Sequence, residues 1–325
     1  MIEVSHLSKR YGAFKAVRDV SFTVEKDQVL GFLGPNGAGK TTVMKILTGY
    51  HFPSEGTARI DGVSVTEDPV ACKQRVGYLP ESVALYGELT VDEYLSFIAE
   101  SRQIPKSERA AKTGAAVELC GLGGKRGSRI ETLSKGYKQR TGLAQAIIHD
   151  PPILILDEPT TGLDPNQIIE IRSLIKDLGK RKTVILSTHI LQEVEAVCDQ
   201  VLILNDGRIA AQGTSESIGR TVRGGENWNL VLKGGGAASV KTTLETFARE
   251  SALNIVNIET ADIQEGSRVE ASFFIEGGQE SADGNGERIF DWAVAGGYKI
   301  LSMQQKKMSL EDIFVRLTSE GKGEA

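Results

Sequence analysis

Residues 34–42 read GPNGAGKTT, set between the apolar run Val29–Leu33 and the amphipathic stretch Lys40–Leu47. The stretch matches G-x-x-x-x-G-K-[ST], and a buried strand before it with a helix after it is the context that motif needs. Gly34, Gly37 and Gly39, with Pro35, Asn36 and Ala38 between them, let the backbone wrap closely around phosphate with its N–H groups inward. The helix that follows adds the partial positive charge of its N-terminus. Lys40 is placed to reach the β- and γ-phosphates of a nucleotide, Thr41 offers a hydroxyl to Mg²⁺, and Thr42 a contact near the α-phosphate.

A second chemical stretch, ILILDEP, occupies residues 153–159. Four apolar residues bury a strand, and Asp157 and Glu158 emerge at its C-terminal end, where open α/β sheets bind their ligands. Asp157 is expected to hold the magnesium, directly or through water. Glu158 is expected to position and deprotonate the attacking water. Phosphoryl transfer asks mainly for positioning and charge neutralisation, so few side chains carry it.

Around these stretches the first two-thirds of the chain alternate β-branched runs with amphipathic segments. Residues 184–187 read as another buried strand, and Ile168, Ile171, Ile175 and Leu178 recur at helical spacing before it. This rhythm predicts a parallel sheet covered by helices. Residues 2–24 read as strands of a separate antiparallel sheet, and residues from about 85 to 150 as a helical subdomain with Leu95, Ile98 and Ala99 on one face.

The polar, Gly-rich residues 216–227 read as a linker, which divides the chain into residues 1–215 and 228–325. Beyond it the order reads β-α-β-β-α-β, which fits a small ferredoxin-like α+β unit. In that reading GGQESADGNGER, residues 277–288, is a loop, Ile289, Trp292 and Ala293 mark the second helix, and a final helix carries Leu310, Ile313, Phe314 and Leu317.

The 325 residues carry a formal net charge of −5, which argues against a basic nucleic-acid binder. No stretch approaches the roughly 18 to 20 apolar residues of a membrane span, and MIEVSHLSKRYG lacks the apolar core of a signal peptide. A membrane role would run through a partner. Cys72, Cys120 and Cys198 are widely spaced and odd in number, and read as reduced thiols.

LSKGYKQR, residues 133–140, lies upstream of the acid pair and resembles the signature motif of ABC ATPases. Tyr11 is similar to the aromatic that stacks on adenine in that family. TTGLDP, residues 160–165, resembles its D-loop with Asp164 as the acid, and STH, residues 187–189, its switch histidine, His189. The resemblance spans roughly residues 1–215. It implies a P-loop NTPase cassette in which His189 meets the γ-phosphate, and Ser134 and Gly136 grip the ATP of a second copy across a head-to-tail dimer. Within the family, GYLPE, LSKGYKQR and DEPTTGLDPNQ look closest to exporter and gliding-motility-associated ATP-binding subunits, and MSLEDIFVRL resembles the ending common in such exporter ATPases.

The resemblance further implies Mg-ATP as the bound species and transmembrane permease subunits in separate chains. It places the chain in the cytoplasm, peripheral on the inner face of the cell membrane. The signature departs from the usual SGGQ: Lys135 and Tyr137 replace Gly and Gln, while Ser134 and Gly136 remain. Glu81 stands where a Gln is usual, and is expected either to bind Mg²⁺ or water or to be a solvated loop acid facing the membrane partner. A contrasting reading is a soluble ABC ATPase acting on nucleic acid or ribosomes. Such proteins usually add heptad coils, zinc cysteines or a second cassette, and the sequence shows none of these.

Overall fold

The computed structural model describes residues 1–218, 225–251, 253–263, 268–276, 282–306 and 310–319. It divides into two compact units, one built from Met1–Ser215 with a short C-terminal stretch beginning at Arg316, the other from Glu216–Val315.

In the first unit, β1 (Ile2–Tyr11), β2 (Phe14–Val24), β4 (Glu55–Ile60) and β5 (Val63–Ser64) form an antiparallel sheet in the order β2-β1-β4-β5. A second sheet has the order β10-β9-β3-β8-β7-β6, from β3 (Val29–Leu33), β6 (Val76–Leu79), β7 (Ile153–Asp157), β8 (Thr183–Thr188), β9 (Gln200–Asn205) and β10 (Arg208–Gly213). All its neighbours run parallel except the edge pair β9–β10.

The central strands are apolar without a break because both faces are covered. Along β7, Ile153 and Ile155 join one core with Met44, Phe22 and Ile60, while Leu154 and Leu156 join another with Leu95, Leu143 and Ile171. The first core is closed by the antiparallel sheet and α1 (Lys40–Leu47). The second is closed by α3 (Val91–Ser101), α5 (Lys135–Ile147) and α6 (Pro165–Gly179), with α4 (Lys106–Leu119) contributing Ala116 and Val117. Two short helices, α2 (Pro69–Arg75) and α7 (Leu191–Val197), also belong to the unit. The helical subdomain opens on a reciprocal cap: Thr90 accepts from Glu93 N–H, and the Glu93 carboxylate accepts from Thr90 N–H.

In the second unit β11 (Gly225–Lys233), β12 (Asn254–Ile263), β13 (Arg268–Glu276) and β14 (Lys299–Lys306) form an antiparallel sheet in the order β12-β13-β11-β14. With helices Ala237–Glu250 and Ala282–Ala295 this is the ferredoxin-like arrangement. Trp228, Leu230 and Leu232 meet Val240, Leu244, Ile289 and Trp292 in its core.

Two sequence expectations change here. Residues 225–227 belong to β11, not to a linker, because Gly225, Glu226 and Asn227 pair with Glu276, Ile275 and Phe274. Residues 282–288, read as loop, begin the second helix. Buried Asn285, Ile289, Trp292 and Ala293 put that helix's inner face on the core, and burial outweighs the low helix propensity of the Gly- and Asn-rich run. Residues 219–224 of the expected linker and 277–281 of the expected loop lie outside the described residues.

Candidate nucleotide site

The site forms where β3, β8 and β7 lie side by side and end together. Residues 34–39 turn from β3 into α1. Gly39 precedes the helix at φ 104°, and a Cβ there would stand 2.5 Å from Ala16 O, so the turn requires glycine. Gly207 N–H ties the loop down by donating to Ala38 O at 3.1 Å. Lys40 is 6% exposed, and its ammonium donates to Gly34 O at 2.7 Å and Pro35 O at 3.3 Å, directed back into the loop. Burial lowers its pKa, and the charges of Glu158, Asp157 and Glu81 pull it back up.

Asp157 ends β7, fully buried. Its Oδ1 accepts a short bond from Ser187 Oγ and a long one, 3.5 Å, from Thr41 Oγ1, whereas its buried Oδ2 has no hydrogen-bond partner among the described residues. Glu158 follows with φ 51°, a left-handed conformation that costs a non-glycine residue about 1–2 kcal/mol. Its N–H is held twice, by Ser187 O at 3.0 Å and Ser187 Oγ at 3.2 Å, so the neighbouring strand imposes the twist. The twist carries the carboxylate to His189: Nδ1 lies 2.9 Å from Glu158 Oε2, which also accepts from Thr161 Oγ1 at 3.2 Å. A carboxylate only accepts, so Nδ1 carries the proton.

Ser134 caps α5 with its hydroxyl accepting Tyr137 N–H at 3.4 Å, and Ser134 and Lys135 are exposed. Gly136 is buried under Gln167, where a Cβ would sit 2.2 Å from Oε1. Tyr137 lies under Lys125, whose Nζ is 5.4 Å from the ring centre. Asp164 caps α6, accepting Gln167 N–H at 2.9 Å. Arg140 pairs with Glu170. The Lys135 side chain also lies against Gly162, so the 133–140 stretch packs on 160–165 and the start of α6 within one chain. Tyr11 is 43% exposed, with His51 in a T-shaped arrangement at 5.7 Å and the Lys9 ammonium over its ring, 5.3 Å from the centre.

Residues 17–161 match the model of the family described as ABC transporter. The chain is 35% identical over 259 residues to Nod factor export ATP-binding protein I of Burkholderia orbicola, covering 78% of this chain and 83% of that one. It is 29% identical to linearmycin resistance ATP-binding protein LnrL of Bacillus subtilis, over 98% of each chain. A solved structure of an ATP-binding subunit of an ABC transporter superposes with TM-score 0.63 at 33% identity, covering 68% of this chain and 92% of that one. The chain belongs to the ABC transporter ATP-binding proteins.

In this ABC cassette the donor set around Asp157 suits Mg²⁺. That ion takes oxygen ligands, usually one or two carboxylates with water and substrate phosphates completing the shell. A buried carboxylate oxygen without a partner, beside the Thr41 hydroxyl, meets the requirement. Glu81 is exposed, and its connection to the site in the cassette is the field it exerts on Lys40. Sequence reasoning missed Ser187 as the group that holds both Asp157 and the Glu158 backbone. It also missed Thr161 as a donor to Glu158, and Gln167 as the lid on Gly136. All three lie inside the motifs, but the partner of a hydroxyl or an amide depends on the strand or helix beside it, which the motif does not state. Among the described residues no helix is long and apolar enough to cross a membrane.

Proposed function

We propose that this ABC transporter ATP-binding subunit hydrolyses Mg-ATP, closes as a dimer around nucleotide, and drives separate membrane-spanning subunits in the export direction. The convergence of Lys40, the Thr41–Asp157–Ser187 chain and the Glu158–His189 pair carries the reading. The loop amides and Lys40 would bind the β- and γ-phosphates. Thr41 and Asp157 would hold Mg²⁺, which supplies charge neutralisation on the phosphates. Glu158 would orient water and take its proton, with His189 setting the carboxylate's position and facing the γ-phosphate. Lys40 leaves its two loop carbonyls to do its part, exchanging neutral acceptors for an anionic one.

The start of α5, where Ser134 and Lys135 are exposed and Gly136 and Tyr137 follow, would serve the γ-phosphate of a second copy, an anion at a helix N-terminus. ATP would then be part of the contact, and hydrolysis would remove it. The export direction is supported by the name of the Burkholderia relative and by the sequence resemblance noted above. The second unit would regulate or stabilise the assembly; the likeness to LnrL extends through it.

Glu158→Gln tests the reading. The variant should bind ATP as the natural chain does, lose at least about a hundredfold in hydrolysis, and persist as an ATP-bound dimer by light scattering. Normal turnover would remove Glu158 from its role. A monomer with Mg-ATP, even with its permease present, would end the dimer proposal.

A further inference from the structure

A cavity of about 480 Å³ lies at the edge of the parallel sheet opposite the nucleotide site. Pro152 and Lys182, in its wall, immediately precede β7 and β8, whereas Asp157 ends β7 and the cradle, Glu158 and His189 follow the ends of their strands. One wall is a face of α4, where Lys112, Ala115, Ala116 and Leu119 recur at three- and four-residue spacing. Ile147 and Leu178 extend the apolar floor from α5 and α6, and Leu119 is left 44% exposed. A space of this size with an apolar body and few polar groups is typical of small-molecule sites.

The charges at its mouth are unbalanced: Lys112, Arg181 and Lys182 face the single carboxylate of Asp150. Lys182 is spent, its side chain 13% exposed and its Nζ donating to Asp150 Oδ1 at 2.6 Å and Pro151 O at 2.7 Å. That bond holds the Asp150 carboxyl below its usual pKa, so the pair is ionised and self-neutralising. Lys112 stands 4.0 Å from the other Asp150 oxygen, at the limit of pairing. The exposed Arg181 guanidinium acts on Asp150 and Asp177 through its field alone and makes no hydrogen bond or ion pair among the described residues. Two cations over an uncovered apolar floor are complementary to one class of ligand.

We propose that this cavity binds a small amphipathic carboxylate, its aliphatic body on the Ala115–Leu119–Leu178 floor and its head on Arg181 and Lys112. An aliphatic body gains from the floor by area, and a carboxylate matches the guanidinium fork in two parallel hydrogen bonds. The site touches α4, α5 and the α6–β8 turn and shares no residue with the nucleotide cradle, so ATP does not compete for it directly.

Octanoate titrated into the full chain by calorimetry tests it, with 1-octanol and octylamine as probes of the same body and a different head. One saturable octanoate site is expected. Arg181→Glu with Lys112→Glu, both on the surface, should weaken octanoate at least about tenfold, the scale of one lost charged hydrogen bond. ATP binding and 1-octanol binding should stay within about twofold in that variant. Ala115→Phe, which fills the floor, should remove both octanoate and octanol. Absence of saturable octanoate binding, equal affinity for octylamine, or an unchanged affinity in the charge-reversed protein would each overturn the proposal.

Discussion

Replacing Ser187 by alanine isolates what the β7–β8 neighbourhood contributes to the site. The serine is fully buried, so no water substitutes for its hydroxyl. Two bonds are lost, but unequally. Glu158 N–H keeps the Ser187 carbonyl at 3.0 Å, so the left-handed backbone there survives. Asp157 fares worse: among the described residues Oδ1 retains only the 3.5 Å approach of Thr41, and Oδ2 already lacks a partner. A hydrogen bond to a buried charged group contributes about 1.5–3 kcal/mol. At about 2–4 °C per kcal/mol for a unit of this size, melting should fall by about 3 to 12 °C. Mg²⁺ on Asp157 would replace the missing partner, so the loss should be largest in EDTA and shrink in Mg-ATP. Hydrolysis should fall about tenfold to a hundredfold as the carboxylate loses its fixed orientation, while ATP affinity in EDTA holds, since Lys40 does not touch Ser187. Scanning fluorimetry under both conditions, with phosphate release, reads all three quantities. A variant that melts within about 1 °C of the natural chain in EDTA and turns over normally would show that Ser187 does not hold Asp157.

Lys40→Ala should weaken ATP binding by about tenfold to a hundredfold, because a desolvated polyphosphate loses one charge-assisted bond; unchanged affinity by calorimetry would count against the cradle. His149 should make stability depend on acid. Burial, aided by Arg102 and Lys182 and opposed by the Val76 carbonyl at 3.3 Å, pushes its imidazole down to about 4 from 6.5. Between those values the unfolded chain binds the proton and the folded chain does not. Stability is therefore full above about pH 6.5 and declines towards pH 4, by up to about 3 kcal/mol. His149→Gln should flatten that decline, and urea midpoints at pH 4.5 and 7.5 that shift equally in both proteins would refute it.

Residues 34–42 could be read from the chain alone because their function is carried by local geometry. Glycines permit the turn, a helix start supplies the dipole, and Lys40 and Thr41 are covalently placed where they act. The caps at Thr90, Ser134 and Asp164 are local in the same sense, each bonding within three residues of itself. The alternation of Ile153, Leu154, Ile155 and Leu156 between two cores likewise follows from the strand period. What the chain could not reveal are the pairings between elements far apart in sequence. Ser187 meets Asp157 only because β8 lies beside β7 in the register that sets Asp157 opposite Ser187. Gln167 covers Gly136, residues 282–288 turn helical, and Arg181 comes to face α4 for the same kind of reason. A motif states which groups are present; packing decides which of them find partners, and Asp157 Oδ2, left without one among the described residues, is where we propose that the metal binds.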